Sequence, residues 1–488
     1  MGCKHRPDNC LSLPASPSEA INVFIRKFIL AGLLALPVLS SDAAAANSDK
    51  IALDFEKYEL GNGLEIILHR DTSAPEISVN LWYHVGSGDE EPGKSGFAHL
   101  FEHMMFQGAK HIGQDVHFDI LKEIGATGIN GTTNTDRTNY FETVPRHQIE
   151  TALWLESDRM GYMLDLLNQA SLKNQIDVVR NERRQNYDNR PYGTIRFDVA
   201  AALYPEGHPY RYLTIGRHKD LENASLEDIS AFFRKWYVPS NATLVLAGDF
   251  ETDDAKALVQ KWFGSFPKLP KPPRTHIRTP RLHENLRKEV VDNIARLEQV
   301  QYVWHSPAEL AEESFEMSVA ARVLGARGWG RLYKRLVVDE KLCSRAYAYQ
   351  NGRHFSGSFN IVAQLKPNTK RVRVEAIIRE EVERLQREPI TQDELNRVIV
   401  STESSFVWRL ESLSGRADQL QWFNHHAGDP GYADIYLQRM RAITPQMVRS
   451  AAVKYLSAPH AEIIATPKNT SAKGTPNSKR SSAQDGDK

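Results

Sequence analysis

The chain has 488 residues, with Lys+Arg and Asp+Glu both at 61, so its formal net charge is zero. That length suits two to four domains, and the absence of a basic excess argues against nucleic acid as a partner. Hydrophobic content of 41% and charged content of 25% are ordinary for a globular protein.

The first element in the chain reads as a targeting signal. Arg26 and Lys27 precede the apolar run FILAGLLALPVL, and the small residues SSDAAAANS follow it. A basic flank, a short apolar core and an Ala-x-Ala site are the parts of a secretory signal peptide. Residues 1–46 are therefore expected to be removed, with cleavage near residues 44–46, and the mature chain to be exported, to the periplasm. The length before Arg26 leaves room for a start codon further downstream. The run is too short for a stable bilayer-spanning helix, and no later segment reads as transmembrane, so no stable membrane anchor is expected. Cys3 and Cys10 fall in this presequence and Cys343 is left alone, which rules out an intramolecular disulfide in the mature chain.

Strand signals open the remainder. KYELGNGLEIILHR reads as two short strands about an Asn-Gly turn. PEISVNLWYHVGSG, rich in β-branched and aromatic residues, is a third. The period then changes. In SGFAHLFEHMMFQGA the apolar residues Phe97, Leu100, Phe101, Met104 and Met105 follow three-and-four spacing, which is helical, with Ser95 expected as N-cap. A second helix is expected over residues 116–125, ended by Gly125. The Thr-rich stretch ATGINGTTNTDRTNYFETVP has strand composition with turn residues. Helical patterns resume over 148–167, 171–187 and 226–236, and ATLVLAGDF closes the unit as a strand.

FPKLPKPPRTHIRTPRL follows, and its prolines favour an extended spacer. Beyond it the pattern recurs. LEDISAFFRKWYVPSNATLVLAGD resembles ITPQMVRSAAVKYLSAPHAEIIATP, and ISVNLWYHVGS resembles LEQVQYVWHSP, both at a spacing of about 220 residues. The expected organisation is a first lobe at 47–268, a linker at 269–285, a second homologous lobe at 286–467 and a disordered tail at 468–488. The fold class is α+β, each lobe an antiparallel-rich sheet covered by helices.

One motif carries chemistry. His99 and His103 stand four apart on the first helix, so both imidazoles share a face. Glu102 lies beside His103. Catalytic zinc takes three protein ligands and keeps an open position for water, and a neighbouring carboxylate can take that water's proton. The order His-x-x-Glu-His inverts the commoner His-Glu-x-x-His and forms a class of its own. The second lobe has no copy. A third ligand must come from elsewhere. Glu182 borders the apolar face formed by Leu172, Ile176 and Val179, and a carboxylate there should be paired or metal-bound. Asp177 and Glu156 are weaker alternatives, expected to be solvated helix charges.

His99-Leu100-Phe101-Glu102-His103, then Met-Met-Phe-Gln-Gly, then Val-Val-Arg-Asn-Glu182 together resemble the pitrilysin (inverted zincin) metallopeptidases. The branch that includes the mitochondrial processing peptidase is the most similar. NGTTNTDRTNYFETVP matches that family's Asn-Thr segment. The resemblance implies zinc as cofactor, held by His99, His103 and Glu182, with Glu102 as general base in peptide-bond hydrolysis. It places Asn130 and Gly131 on an edge strand that binds substrate backbone. Phe106 maps to an aromatic near the scissile bond, with core packing as its alternative role. The substrates implied are peptides or unfolded polypeptide segments. One chain supplies one two-lobe half, so a homodimer, or a heterodimer with a zinc-less paralogue, is expected. A non-catalytic assembly subunit of the same fold is the alternative function. There is one departure: the family often has a glutamate seven residues before the third ligand, and this chain has Gln175. Its arginine and tyrosine from the second lobe are not singled out among Arg327, Arg331, Tyr333, Arg345 and Tyr349.

Overall fold

The computed structural model describes residues 51–274, 277 and 279–468. The expected signal peptide, and the expected tail from residue 469, lie outside these residues.

Two sheets organise the chain. The first contains β1 (Glu56–Glu59), β2 (Glu65–Arg70), β3 (Glu76–Tyr83), β4 (Thr127–Thr133), β5 (Thr138–Pro145) and β6 (Ala242–Gly248), in the order β1-β2-β6-β3-β5-β4. The second contains β7 (Leu286–Asp292), β8 (Gln299–Ser306), β9 (Cys343–Asn351), β10 (Gly357–Leu365) and β11 (Ala461–Pro467), in the order β7-β11-β8-β10-β9. With β1 set aside, the two orders correspond strand for strand. Each sheet has one parallel pair, β2 with β6 and β7 with β11, and its other pairs are antiparallel. The parallel pair is where the last strand of each repeat returns beside the first through a helical crossover. The fold is therefore α+β with two homologous lobes. The internal repeat read from the sequence is the helix Leu226–Trp236 with β6, and the helix Pro445–Leu456 with β11.

Four helices of the first half bear on the site: α1 (Phe97–Met104), α2 (His117–Glu123), α3 (Ile149–Tyr162) and α4 (Gln169–Arg183). Phe97, Leu100, Phe101 and Met104 of α1 are buried in one cluster with Leu81 and Tyr83 of β3 and Leu153 of α3. Each such fully buried side chain contributes about 1.5–3 kcal/mol, so the metal-motif helix is fixed by its apolar face. In the second lobe the helix Ser314–Gly325 follows β8 as α1 follows β3, and it carries no histidine.

The start of α1 corrects the sequence reading. Its N-cap is Gly96, at φ +92, and not Ser95. A Cβ on Gly96 would lie 2.9 Å from the Cα of Gly216, so glycine answers both the left-handed backbone and the close approach. Ser95 instead donates its hydroxyl to Asp220 at 2.5 Å. The first turn is satisfied by Glu90, whose two carboxylate oxygens accept from Gly96 N at 3.0 Å and Ala98 N at 2.9 Å.

β3 is buried from Ile77 to Tyr83, polar Ser78 and Asn80 included, because both faces of its sheet are covered. One face carries α1 and α3. The other carries the helix Leu413–Ala427 of the second half, whose Ala417 and Leu420 pack on Ile67, Val245 and Ala247. Gln421 of that helix donates to the carbonyls of Asn80 and Thr243 at 2.9 and 2.7 Å. This crossing of a second-half helix onto the first sheet was not expected from the sequence.

Candidate metal centre

The i, i+4 spacing on α1 brings His99 and His103 together with their rings perpendicular and 4.8 Å apart. Their Nε2 atoms are separated by 3.3 Å. From α4, Glu182 brings its Oε2 within 3.5 Å of each Nε2. Among the described residues this is the group of histidine and carboxylate side chains able to hold a metal ion. Zinc bonds of about 2.0–2.2 Å in a tetrahedron hold donor atoms roughly 3.3–3.6 Å apart. The observed spacings match, so the residues present fit a zinc ion.

Glu182 sits in the last turn of α4, immediately before a π-helical segment, Arg184–Asp188. Such segments shift the register of a helix end and recur at functional sites. Asn168 sets the other end of α4, its side-chain oxygen accepting from Ala170 N and Ser171 N, both at 3.0 Å. Burial, and then the neighbouring His103, push the His99 imidazole down to about 4, which keeps it neutral with a lone pair free for a metal. The hydrogen bond from His103 holds the Glu182 carboxyl below its usual range. His99 Nδ1 is buried without a hydrogen-bond partner among the described residues.

Glu102 is buried between α1 and the sheet. Its Oε2 accepts from the hydroxyl of Thr133, at the end of β4, at 2.6 Å. Burial raises its carboxyl above the usual range, against the opposing pull of Thr133 and His103. Thr133 was missed in the sequence reading, although it lies in the Thr-rich segment already singled out. Glu90 was also missed. An acidic residue just ahead of the first helical turn is a signal for it, but only the fold shows that a side chain six residues upstream reaches back.

The other predicted residues fall around this group. β4 is the free edge of its sheet. A Cβ on Gly131 would lie 3.0 Å from the ring of Phe106, 3.2 Å from Glu102 Cγ and 3.2 Å from the ring of Tyr140, so glycine leaves room directly over the acid. Asn130 is exposed, and its Oδ1 accepts from Gly131 N at 2.9 Å. Phe106 stacks on Phe118 at 4.6 Å and meets Tyr140 edge-on at 5.6 Å. Gln175 is buried on α4.

One expectation is overturned. Glu156 is not a solvated charge. It is fully buried and accepts from Arg159 Nε at 2.8 Å, and the Arg159 guanidinium lies 4.2 Å from the Tyr140 ring centroid, behind the site. Asp177, on the exposed side of α4, is solvated as expected. Of the second-lobe candidates, Arg331 is spent on a bidentate pair with Glu394, both contacts at 2.7 Å.

Two repeated α+β lobes, with a His/His/Glu cluster in the first and none in the second, have the build of a two-lobed metallopeptidase. Residues 65–204 match the family model described as Insulinase (Peptidase family M16), and residues 223–401 match the one described as Peptidase M16 inactive domain. The chain belongs to peptidase family M16. It is 30% identical over 366 residues to the zinc protease PqqE of Helicobacter pylori, covering 74% of this chain and 81% of that one. It is 25% identical over 410 residues to an uncharacterized zinc protease of Streptomyces coelicolor, covering 80% of this chain and 85% of the relative. Among solved structures, a protease from Helicobacter pylori superposes with a TM-score of 0.80 at 26% identity, over 86% of this chain and 100% of that one. The periplasmic protease PqqL of Escherichia coli shares the fold at a TM-score of 0.70 and 17% identity, over 85% of this chain and 48% of that one.

Proposed function

We propose that this protein is a zinc metalloendopeptidase acting on peptides or unfolded polypeptide segments. The observation that carries the reading is the convergence of His99, His103 and Glu182 at zinc-ligand spacing, with the buried acid Glu102 on the same helix. His99, His103 and Glu182 would hold the ion. The chemistry zinc supplies when bound in such a set is Lewis-acid polarisation of a carbonyl and acidification of water.

The remaining steps fall to the chain's own groups. Glu102 takes the proton of the attacking water at its carboxylate and passes it to the leaving amine. Burial suits it to accept that proton, and Thr133 holds one oxygen so that the carboxylate keeps a single orientation. The free edge of β4 at Asn130 and Gly131 binds an extended substrate backbone by strand addition. Phe106 flanks the scissile position across the space that Gly131 leaves open.

The same reading includes export with removal of residues 1–46, lobes at 47–268 and 286–467, and pairing with a second copy or a zinc-less paralogue. The match to only 48% of the Escherichia coli PqqL chain supports the pairing, since that relative has length for two such halves. An assembly subunit without catalysis is the second reading. The domain model described as inactive favours it, but that match covers residues 223–401, outside the four groups of the site. A quenched peptide library separates the two. Cleavage that stops with a zinc chelator and returns with zinc supports the peptidase, and intact peptides with zinc-loaded protein support the assembly role.

A further inference from the structure

The side of β4 that looks away from Glu102 borders a second feature. Gly131 and Thr133 face Glu102, so Thr132, between them, points to the opposite face of the sheet. There it donates to Asn139 of β5 at 2.6 Å. The turn joining the helix Gln392–Arg409 to the helix Leu413–Ala427 stands against this face. A cleft of about 400 Å³ lies between them, lined by Thr132, Arg137, Asn139, Arg409, Ser412 and Asp418 among others.

The charges in this cleft are unequal, with two guanidiniums to one carboxylate. Arg137 donates to the carbonyl of Thr132 at 2.8 Å, and its Nε is buried without a hydrogen-bond partner among the described residues. Arg409 lies over the Phe406 ring at 5.9 Å and is exposed. Among the described residues neither arginine has a carboxylate within the 4.0 Å of an ion pair. Ser412 caps the second helix of the turn, its hydroxyl accepting from Gly415 N at 3.0 Å. That adds the positive end of a helix to the same wall.

We propose that this cleft is a substrate subsite that selects acidic side chains. A peptide lying as a strand along β4 turns alternate side chains to opposite faces of the sheet. Those on one face meet Glu102 and Phe106. Those on the other meet the exposed guanidinium of Arg409, whose planar fork matches a carboxylate, while Arg137, held by Thr132 and lying over the Trp82 ring at 4.9 Å, adds its charge to the same cleft. Selectivity should therefore have a period of two along the substrate. This inference rests on the peptidase reading and on strand addition at β4.

The test walks a single Glu along an otherwise neutral fluorescent peptide. Binding is read by anisotropy with the full chain carrying Glu102→Gln, and kcat/KM with the unaltered chain. Glu should tighten binding about fivefold at positions two apart, with no gain at the position between them. Arg409→Glu should turn the preference toward Lys at those positions. Asp418→Asn should strengthen the preference for Glu, and it gives a second reading should the first variant fail to fold. A uniform profile along the peptide, or a Glu preference unchanged by both substitutions, overturns the subsite. Hydrolysis with no such preference removes the subsite and leaves the peptidase. Position-dependent binding with no hydrolysis by the unaltered chain removes the peptidase and leaves the subsite.

Discussion

Gly131→Ala probes the geometry around Glu102 without touching a metal ligand. The added methyl would meet the Phe106 ring at 3.0 Å, Glu102 Cγ at 3.2 Å and the Tyr140 ring at 3.2 Å. Carbon atoms prefer about 3.5–4.0 Å, so something must yield by several tenths of an ångström. Tyr140 is fully buried and contacts the Tyr237 hydroxyl at 3.3 Å, and Phe106 is stacked on Phe118. Glu102 is the softest neighbour, held at its carboxylate by the one bond from Thr133. Overpacking of this kind costs about 1–3 kcal/mol. A displacement of about 1 Å in a catalytic group lowers a rate about a hundredfold, so a shift of several tenths should lower kcat about tenfold, or about 1.4 kcal/mol in the barrier. Zinc content should not change, because His99, His103 and Glu182 are untouched. The assay is steady-state hydrolysis of a quenched peptide, with elemental analysis and a thermal melt on the same sample. A folded, zinc-loaded variant with unaltered kcat would refute the placement of Glu102 at the reacting centre.

The other predictions follow from single contacts. Thr133→Val removes a hydrogen bond to a charged group, worth about 1.5–3 kcal/mol. That bond favours ionised Glu102, so its loss leaves only His103 and Arg137 to oppose burial and should move the acid limb of the kcat/KM profile to higher pH, read from rates between pH 5 and 9. Glu90→Gln turns one acceptor at the start of α1 into a donor facing an amide. It should weaken zinc retention about tenfold in chelator competition and lower the melting temperature. His84 is buried against His425, their Nδ1 atoms 2.8 Å apart, and burial pushes its imidazole down to about 3. Its folded-state value lies below its unfolded value of about 6.5, so its stabilisation is complete above that pH and is lost as pH falls toward the folded value. The loss is about 2 kcal/mol by pH 5. His84→Gln should therefore flatten the fall in melting temperature between pH 7 and 5, and an equal fall in both proteins would contradict this.

What the sequence made legible was whatever local periodicity controls. The three-and-four spacing of Phe97, Leu100, Phe101 and Met104 gave α1, and the same helix-then-strand signature at residues 226–249 and 443–467 gave the duplication. His99, His103 and Glu102 were legible because four-residue spacing on a helix is itself a geometric statement. From residue chemistry alone Glu182 was legible only as a border residue; the family resemblance marked it as a ligand, and the fold brings α4 across α1 so that it meets both histidines. Contacts between distant segments left no periodic mark. The helix Leu413–Ala427 crosses onto a sheet built from the first half. Glu90 and Glu156 find partners nearby in the chain, Ala98 N and Arg159, but residue spacing does not show which way Glu90 turns or that Glu156 is buried. Ser95 was misread because a serine before a helix is a good cap by composition, whereas the backbone at Gly96 had to be left-handed to pass Gly216.

The zinc-to-protein ratio of Glu182→Ala, measured beside that of Glu102→Gln after the same dialysis, tests the central claim most directly. The account predicts about one zinc per chain in Glu102→Gln, with turnover lost, and zinc well below stoichiometric in Glu182→Ala. One zinc per chain retained by Glu182→Ala would contradict it.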